Sequence, residues 1–319
     1  MTVLRRLVAA AVVLALAVVA LALAFDRFVP YTVAHLLFAA DRRQSGLQAK
    51  RVRVDGLDVA YLEGGAGATL VLVHGFGGDK DNFTRVARWL TPHYRVLIPD
   101  LPGFGDSARP EHVSYAIDAQ AERLRAFVRA AGETRVHLGG NSMGGFIVTQ
   151  YAVDHPDEVV SLWLLAPAGT AKAFDSDLTR QTERGGDNPL LVRRPDDFPR
   201  TMGFVMAEKP FMPYSIRHVL SELAAADYPL HARIFDEIGP GRAALLDDAL
   251  PRLAMPTLVV WGTRDRALNP AAADVYRSAM PHAEVSLVEG VGHLPMLEAP
   301  EATARAYLVF RDRIAAHDR

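Results

Sequence analysis

The segment V-H-L-G-G-N-S-M-G-G-F, residues 136–146, runs from a short apolar stretch with strand character into the start of a helical pattern. Its centre, residues 140–144, reads G-x-S-x-G. A serine that attacks a carbonyl must be held clear of a sheet on a sharp strand-to-helix turn, which small neighbours permit. The following helix also aims its first N–H groups at a developing oxyanion. The segment predicts Ser142 as a nucleophile, with an ordinary turn as the alternative for these five residues alone.

The composition sets limits on the function. The chain has 319 residues, a net charge of −2 and no cysteine. This length can form one large α/β domain or two smaller ones with a sizeable core. The balanced charge argues against nucleic-acid binding, and the lack of cysteine excludes disulfides, thiolate zinc sites and a cysteine nucleophile. Neither a metal, a cofactor nor an obligate protein partner is expected.

An uncharged apolar stretch, Leu7–Phe25, follows two arginines near the N-terminus. Its nineteen residues fit a single-pass membrane anchor, because a bilayer needs about twenty apolar residues and a signal peptide has a core of roughly 7–15. The small-x-small pattern at residues 22–24 keeps a cleaved signal, and hence a secreted or periplasmic protein, as the alternative. Arginines flank the stretch on both sides, so the positive-inside rule does not fix the orientation of the helix in the membrane. We favour a catalytic domain outside the cytoplasm.

A second apolar stretch, residues 28–40, is interrupted by Pro30 and His35 and is too short to cross a bilayer. It either lies along the membrane surface or packs on the globular domain. Residues 44–49 are interpreted as a linker. Residues 1–45 are therefore assigned to the anchor and its connection.

Strand patterns begin at about residue 50. Alternating polarity predicts a hairpin of strands 51–54 and 57–62. Continuous apolar runs, typical of strands covered on both faces, recur at 69–73, 95–99, 136–138, 160–165 and 257–261, and a last strand-like segment spans 284–288. Helix-length segments separate them. The pattern predicts an α/β fold with a mostly parallel eight-stranded sheet, helices on both faces, and a site at the carboxyl ends of the strands.

The alternation of strands and helices stops between residues 168 and 251, where helical pieces are rich in proline. We predict that residues 168–251 form a helical lid inserted between core segments 46–167 and 252–319, on the rim that carries the serine. Several of its apolar side chains suggest, as a group, a hydrophobic entrance or acyl pocket, with ordinary packing as the alternative for each: Met202, Phe204, Met206, Phe211, Met212 and Tyr214.

A serine nucleophile needs a histidine to accept its proton and a carboxylate to orient that histidine. Among eleven histidines, His293 lies in a glycine-rich loop after the last strand-like segment. Asp265 lies just beyond strand 257–261, and the order serine, acid, histidine is one that serine triads use. A solvated loop histidine and a turn aspartate are the alternatives, although Asn269 is the better cap for the following helix.

The oxyanion of an acyl-transfer intermediate requires two N–H donors. The loop H-G-F-G-G, residues 74–78, follows the first buried strand and brings the Phe76 N–H towards the same point as the Met143 N–H. We therefore predict Phe76 and Met143 as the oxyanion hole. His74 is expected to be structural.

These motifs, together with D-L-P-G-F-G-D-S at residues 100–107 and W-G-T-R-D at residues 261–265, resemble the α/β-hydrolase fold family. The resemblance covers about residues 50–315. The N-terminal segment, the D-K-D-N-F after the H-G-F loop and the S-M-G-G resemble the membrane-bound monoacylglycerol lipase branch, alpha/beta-hydrolase domain 6, and its bacterial lipase relatives. That branch implies a membrane-bound serine esterase of monoacylglycerols or similar esters with Ser142, Asp265 and His293 as its triad.

Three functions agree with these motifs. The first is a carboxylic ester hydrolase, which the membrane segment favours because lipid esters lie in membranes. The second is a carbon–carbon bond hydrolase of ring-fission products, whose members share the triad and resemble the chain at S-M-G-G. The third is a non-catalytic receptor on a hydrolase fold, since a fold alone does not fix an activity.

Overall fold

A computed structural model describes residues 2–239 and 243–317, and its centre is one eight-stranded sheet. The strand order is β1-β2-β4-β3-β5-β6-β7-β8. The pairs β1/β2 and β2/β4 are antiparallel and the others are parallel. The strands are β1 Leu47–Val54, β2 Leu57–Gly64, β3 Thr69–Val73, β4 Arg95–Pro99, β5 Val136–Asn141, β6 Val159–Leu165, β7 Thr257–Gly262 and β8 Ala283–Val288. The predicted fold class is confirmed.

Helices account for most of the remaining chain. They are α1 Thr2–Phe28, α2 Pro30–Gln44, α3 Thr84–Leu90, α4 Ile117–Ala130, α5 Met143–Asp154, α6 Ala171–Phe174, α7 Asp177–Glu183, α8 Phe198–Val205, α9 Tyr214–Ala226, α10 Tyr228–Ile238, α11 Ala273–Ala279, α12 Pro295–Glu298 and α13 Pro300–His317. Helices α4, α5 and α11 supply the apolar cluster on one face of the sheet, whereas α3 and α13 supply the cluster on the other face.

Strand β3 explains why the central strands read as continuous apolar runs. Val71 and Val73 belong to the cluster on one face, and Leu70 and Leu72 belong to the other. All four are fully buried, since successive side chains of a strand point to opposite faces and both faces are covered here.

The edge strand β1 corrects the interpretation of residues 44–49 as a linker. It begins at Leu47, which pairs with Gly64 of β2 and is buried in a core cluster. The following polar side chains face solvent, so the segment shows little apolar periodicity although each of its residues has a partner in β2. The hairpin itself lies where the sequence predicted it, with longer strands.

The lid segment between β6 and β7 holds α6–α10, and its described part contains no strand. The six apolar residues singled out from the sequence do not form one surface. Phe204 and Met206 are buried in a small cluster with Leu178, whereas Phe211 is 87% exposed. The six residues therefore do not act as one group in a hydrophobic entrance or acyl pocket, although Met202 lines one of the cavities described below together with other lid residues.

Among the described residues, one helix is long and apolar enough to cross a membrane, spanning Val3–Phe28, and its side chains do not pack inside the protein. Helix α2 follows directly and packs on α9, α3 and β1 with Ala34 buried. Leu36 and Phe28 are exposed. Of the two expectations for residues 28–40, the structure has the segment packed on the domain, with apolar side chains left on its outer side.

The C-terminal end of α1 is joined to α9 through Asp26. Its carboxylate oxygens accept hydrogen bonds from the backbone N–H groups of Tyr214 and Ser215, both at 3.0 Å, at the start of α9. The first N–H groups of a helix have no partner within the helix, so this carboxylate supplies one from outside. The Arg27 guanidinium also lies 4.5 Å from the centre of the Tyr214 ring.

We expect Asp26→Ala to loosen the first turn of α9. Loss of a capping side chain lowers the stability of a helix end by about 1 kcal/mol, which corresponds to about fivefold faster amide exchange. Hydrogen exchange of the Tyr214 and Ser215 amides, measured on the full chain in micelles, reports this change. The exposed Asp248 provides the control substitution to alanine. Unchanged exchange rates of the Tyr214 and Ser215 amides in Asp26→Ala would show that Asp26 does not stabilise the start of α9.

Candidate active site

The serine turn joins β5, which ends at Asn141, to α5, which begins at Met143. Ser142 has φ 55° and ψ −117°, a backbone conformation that residues other than glycine adopt rarely because it is strained. A Cβ atom on Gly140 would lie 2.3 Å from the Gly144 carbonyl oxygen, and one on Gly144 would lie 2.2 Å from that of Val73. Both glycines of G-x-S-x-G are therefore required for the turn to pack against the sheet.

Asn141 ties the serine turn to the loop of the predicted catalytic histidine. Its Nδ2 donates to the Leu165 carbonyl at 2.9 Å and to the His293 carbonyl at 3.1 Å. This role was missed in the sequence, where the x of G-x-S-x-G carries no residue preference. The buried amide fixes the spacing between the segments that carry Ser142 and His293.

Asp265 and His293 form a buried pair. His293 Nδ1 donates to Asp265 Oδ2 at 2.7 Å, and Trp261 Nε1 donates to the same oxygen at 2.9 Å. The other oxygen, Oδ1, accepts the backbone N–H groups of Ala267 and Leu268. Four donors thus surround the Asp265 carboxylate, which accepts from His293 and so holds the proton of the imidazole on Nδ1. The Nε2 atom is left able to accept a proton.

The loop of His293 is fixed by Glu298, another residue that sequence reasoning missed. Glu298 accepts backbone N–H groups from Gly292 and Leu294 on either side of the histidine. It also accepts those of Ala207 and Glu208 in the lid. The His293 N–H itself donates to the Val205 carbonyl at 2.8 Å. The Glu298 carboxylate therefore joins the histidine loop to residues 207 and 208 of the lid, and the His293 N–H adds a bond to residue 205.

The glycine-rich loop 74–78 lies directly against the serine. A Cβ atom on Gly75 would come within 3.1 Å of the Ser142 Cβ, so any larger residue here would crowd the serine. His74 is structural, as expected: its Nε2 accepts the Leu101 N–H at 3.1 Å, and its Nδ1 lies 2.8 Å from the Gly75 carbonyl oxygen. The two residues predicted as the oxyanion hole, Phe76 and Met143, line a cavity together with Ser142.

Two cavities meet at Ser142. Cavity A, about 70 Å³, lies between the sheet and the lid and is walled by apolar side chains such as Phe146, Phe174 and Ile238. Cavity B, about 100 Å³, is lined by Ser142 and by the polar residues His293 and His231. Ser142 and His293 thus face one space, with Asp265 bonded to the far side of the imidazole. Among the described residues, no group of three or more histidines and carboxylates could hold a metal ion.

Comparison with known proteins agrees with this architecture. The family model for the alpha/beta hydrolase fold matches residues 68–300. The chain belongs to the α/β-hydrolase fold family. It is 38% identical to Lipase 1 of Psychrobacter immobilis over 86% of this chain and 88% of the lipase. It is 26% identical to monoacylglycerol lipase ABHD6 of Homo sapiens over 84% of this chain and 83% of that protein.

A solved structure extends the comparison to nearly the whole of this α/β hydrolase. The crystal structure of a membrane phospholipase A, described as a novel bacterial virulence factor, is 42% identical and superposes with a TM-score of 0.88. The match covers 98% of this chain and 99% of the phospholipase. The family resemblance found in the sequence motifs is confirmed.

In this hydrolase a buried ion-pair cluster holds the glycine-rich loop in place. Lys80 Nζ lies 2.7 Å from Asp100 Oδ2 and 2.7 Å from Asp106 Oδ2, and the Lys80 N–H donates to Asp100 Oδ1. Burial acts to lower the pKa of Lys80, but Asp100 and Asp106 outweigh it and hold that pKa above its ordinary value. The lysine is therefore charged and ties the loop after β3 to the loop after β4.

Lys80→Met is expected to destabilise the protein by about 3–5 kcal/mol, because it leaves the Asp100 carboxylate buried without its cation. The midpoint of chemical denaturation measures the loss. Lys50→Met is the control, since Lys50 pairs with Glu63 at the exposed surface and its removal should matter much less. Equal effects of the two substitutions would contradict the structural role of the buried cluster.

Proposed function

We propose that this α/β hydrolase cleaves carboxylic esters of lipids, such as monoacylglycerols, with Ser142, His293 and Asp265 as a catalytic triad. The observation that carries the proposal is the buried His293–Asp265 pair facing the same cavity as a serine on a strained turn. The names of the relatives, a lipase, a monoacylglycerol lipase and a membrane phospholipase A, support lipid esters as the substrate class.

The chemistry follows from the proton positions. His293 Nε2 takes the proton of the Ser142 hydroxyl as its oxygen attacks the ester carbonyl carbon. The negative charge on the former carbonyl oxygen is met by the N–H groups of Phe76 and Met143. His293 then returns the proton to the leaving alcohol as the carbon–oxygen bond breaks. Water, activated by the same imidazole, hydrolyses the acyl-enzyme and regenerates the serine.

The two cavities bind different parts of the substrate. The leaving oxygen must lie beside the general acid, and His293 belongs to the lining of cavity B. Cavity B therefore takes the alcohol. Cavity A, whose walls are almost wholly apolar and which also reaches Ser142, takes the acyl chain.

We propose that helix α1 is a retained single-pass anchor with the catalytic domain outside the cytoplasm. Its span Val3–Phe28 is long enough to cross a bilayer, and its apolar window is not buried inside the protein. Determination of the N-terminus of the protein purified from membranes tests the anchor. A mature chain beginning at Phe25, after the A-L-A pattern, would replace the anchor by a cleaved signal.

The reaction class is tested by fluorophosphonate labelling and a panel of p-nitrophenyl esters of graded acyl length, assayed on the full chain in micelles. We expect stoichiometric labelling at Ser142 and release of p-nitrophenol that peaks at medium or longer chains. Hydrolysis of a vinylogous diketo acid with no ester turnover would indicate a carbon–carbon bond hydrolase. Absence of both labelling and turnover would indicate a non-catalytic receptor on this fold.

A further inference from the structure

Cavity B contains a buried acceptor that the protein leaves without a partner. Among the described residues, His231 Nε2 has no hydrogen-bond partner, although the residue is only 9% exposed. His231 lies on lid helix α10 and lines cavity B together with Ser142 and His293. Buried polar atoms in folded proteins are nearly always paired, so this atom calls for a ligand rather than for packing alone.

The surroundings of His231 hold its ring in one position. The ring stacks on Phe104 with 5.1 Å between the ring centres, and the centre of the Phe76 ring is 5.5 Å away. Phe76 also lines both cavities beside Ser142, so His231 lies one aromatic ring away from the reacting serine. Packing on two rings fixes the imidazole with respect to the site of ester cleavage.

The charge state of His231 makes its free nitrogen an acceptor. Burial lowers the pKa of His231 and outweighs Asp227 and a hydrogen bond to the Gly103 backbone, which act in the opposite direction. The ring is therefore neutral at physiological pH, and the interaction with the Gly103 backbone, which raises the pKa, is one in which the ring donates. A neutral imidazole that donates from Nδ1 can only accept at Nε2, so the partner that it lacks is a hydroxyl or an N–H donor.

Several apolar side chains of the lid line the cavity that His231 faces. Leu190, Val192, Phe198 and Met202 face the same cavity, and the Thr201 hydroxyl already donates to the Pro189 carbonyl. A leaving alcohol that is purely hydrocarbon would fill this space but leave His231 Nε2 unpaired, which is unfavourable in a desolvated site. An alcohol that carries a further hydroxyl satisfies both the apolar walls and the acceptor.

We propose that His231 selects for a hydroxyl-bearing leaving alcohol: cavity B binds the polyol part of a partial ester such as a glycerol monoester, whose free hydroxyl donates to His231 Nε2. The inference rests on the proposed ester hydrolysis and makes the lid a specificity element. Discrimination by such a bond is asymmetric, because an analogue that lacks the hydroxyl leaves the buried acceptor unpaired.

The test compares two esters of the same fatty acid, the 1-glycerol ester and the propyl ester, which has the same carbon skeleton without hydroxyls. We expect the wild-type enzyme to favour the glycerol ester in kcat/KM. His231→Phe keeps an aromatic ring on Phe104 but has no acceptor, and should lower the ratio of the two kcat/KM values about tenfold. The change should lie mainly in KM, because the bond forms in the ground state as well as in the transition state.

Two further variants complete the design. His231→Gln restores a side-chain acceptor and should recover part of the preference. Thr201→Val alters the same cavity without removing a free acceptor, and should change both esters together. A ratio that is unchanged in His231→Phe, with wild-type fluorophosphonate labelling, would overturn the assignment and leave the nitrogen to a bound water.

A measurement on the wild-type enzyme keeps the proposal testable if the variants do not fold. The acyl-enzyme can be partitioned between glycerol and propanol, and we expect transfer to glycerol to be favoured. Equal transfer to both alcohols would overturn the role of His231. Failure of the proposed function gives a different result, since the wild-type enzyme would then hydrolyse neither ester.

Discussion

Ser142→Ala is expected to abolish ester hydrolysis, with kcat falling by about 10⁶-fold to the level that binding and oxyanion stabilisation alone can support. The reason is chemical rather than structural. Alanine keeps the Cβ that packs against Gly75 but has no oxygen to attack the carbonyl, and the backbone turn at φ 55° is unchanged. Hydrolysis of a p-nitrophenyl ester and the midpoint of thermal unfolding should be measured on the same preparation.

The control for this prediction is Ser114→Ala. Ser114 is exposed in the loop before α4 and its hydroxyl lies 3.2 Å from Glu237, away from both cavities. It should retain full activity and fluorophosphonate labelling. Turnover by the purified Ser142→Ala protein at more than background, with its unfolding midpoint intact, would assign the nucleophile elsewhere.

Asp265→Asn is expected to lower kcat by about 10⁴-fold. The carboxylate accepts four N–H donors, two on each oxygen. An asparagine has one oxygen and one NH₂ group in place of the two oxygens. Its NH₂ group would therefore face two N–H donors and could not accept from them. If the oxygen stays with the backbone amides of Ala267 and Leu268, His293 shifts its proton to Nε2 and can no longer accept the serine proton.

The matched control is Asp247→Asn, because Asp247 also accepts a backbone N–H, that of Ala171, but does so near the surface. Steady-state kinetics at several pH values should show a large loss of kcat for Asp265→Asn and wild-type kcat for Asp247→Asn. A fall of less than tenfold for Asp265→Asn would mean that another carboxylate orients the histidine.

The parts of the site that the sequence predicted are those fixed by local chemistry. The turn around Ser142 could be predicted because two glycines at fixed spacing are needed where a Cβ would strike backbone atoms. Asp265 and His293 could be predicted from their positions after strand-like runs, and the structure pairs them. Buried strands such as β3 could be predicted because both faces are covered.

The residues that escaped prediction act over long sequence distances. Glu298 is 91 residues from Ala207, whose N–H it accepts, and Asn141 is 152 residues from His293. No local pattern identifies a side chain whose partners are backbone atoms of distant loops. The same reason explains why the apolar lid residues were misassigned, since the fold decides which of them faces a cavity and which is buried in the lid.

The hydrogen bonds of Glu298 have a consequence for substrate exchange. Swinging residues 205–208 outward would leave the Ala207 and Glu208 N–H groups without the Glu298 carboxylate, and would take the Val205 carbonyl away from the His293 N–H. We therefore expect this short stretch to stay docked throughout turnover. Substrate and products would then enter and leave by movement of other parts of the lid, with the His293–Asp265 pair kept assembled.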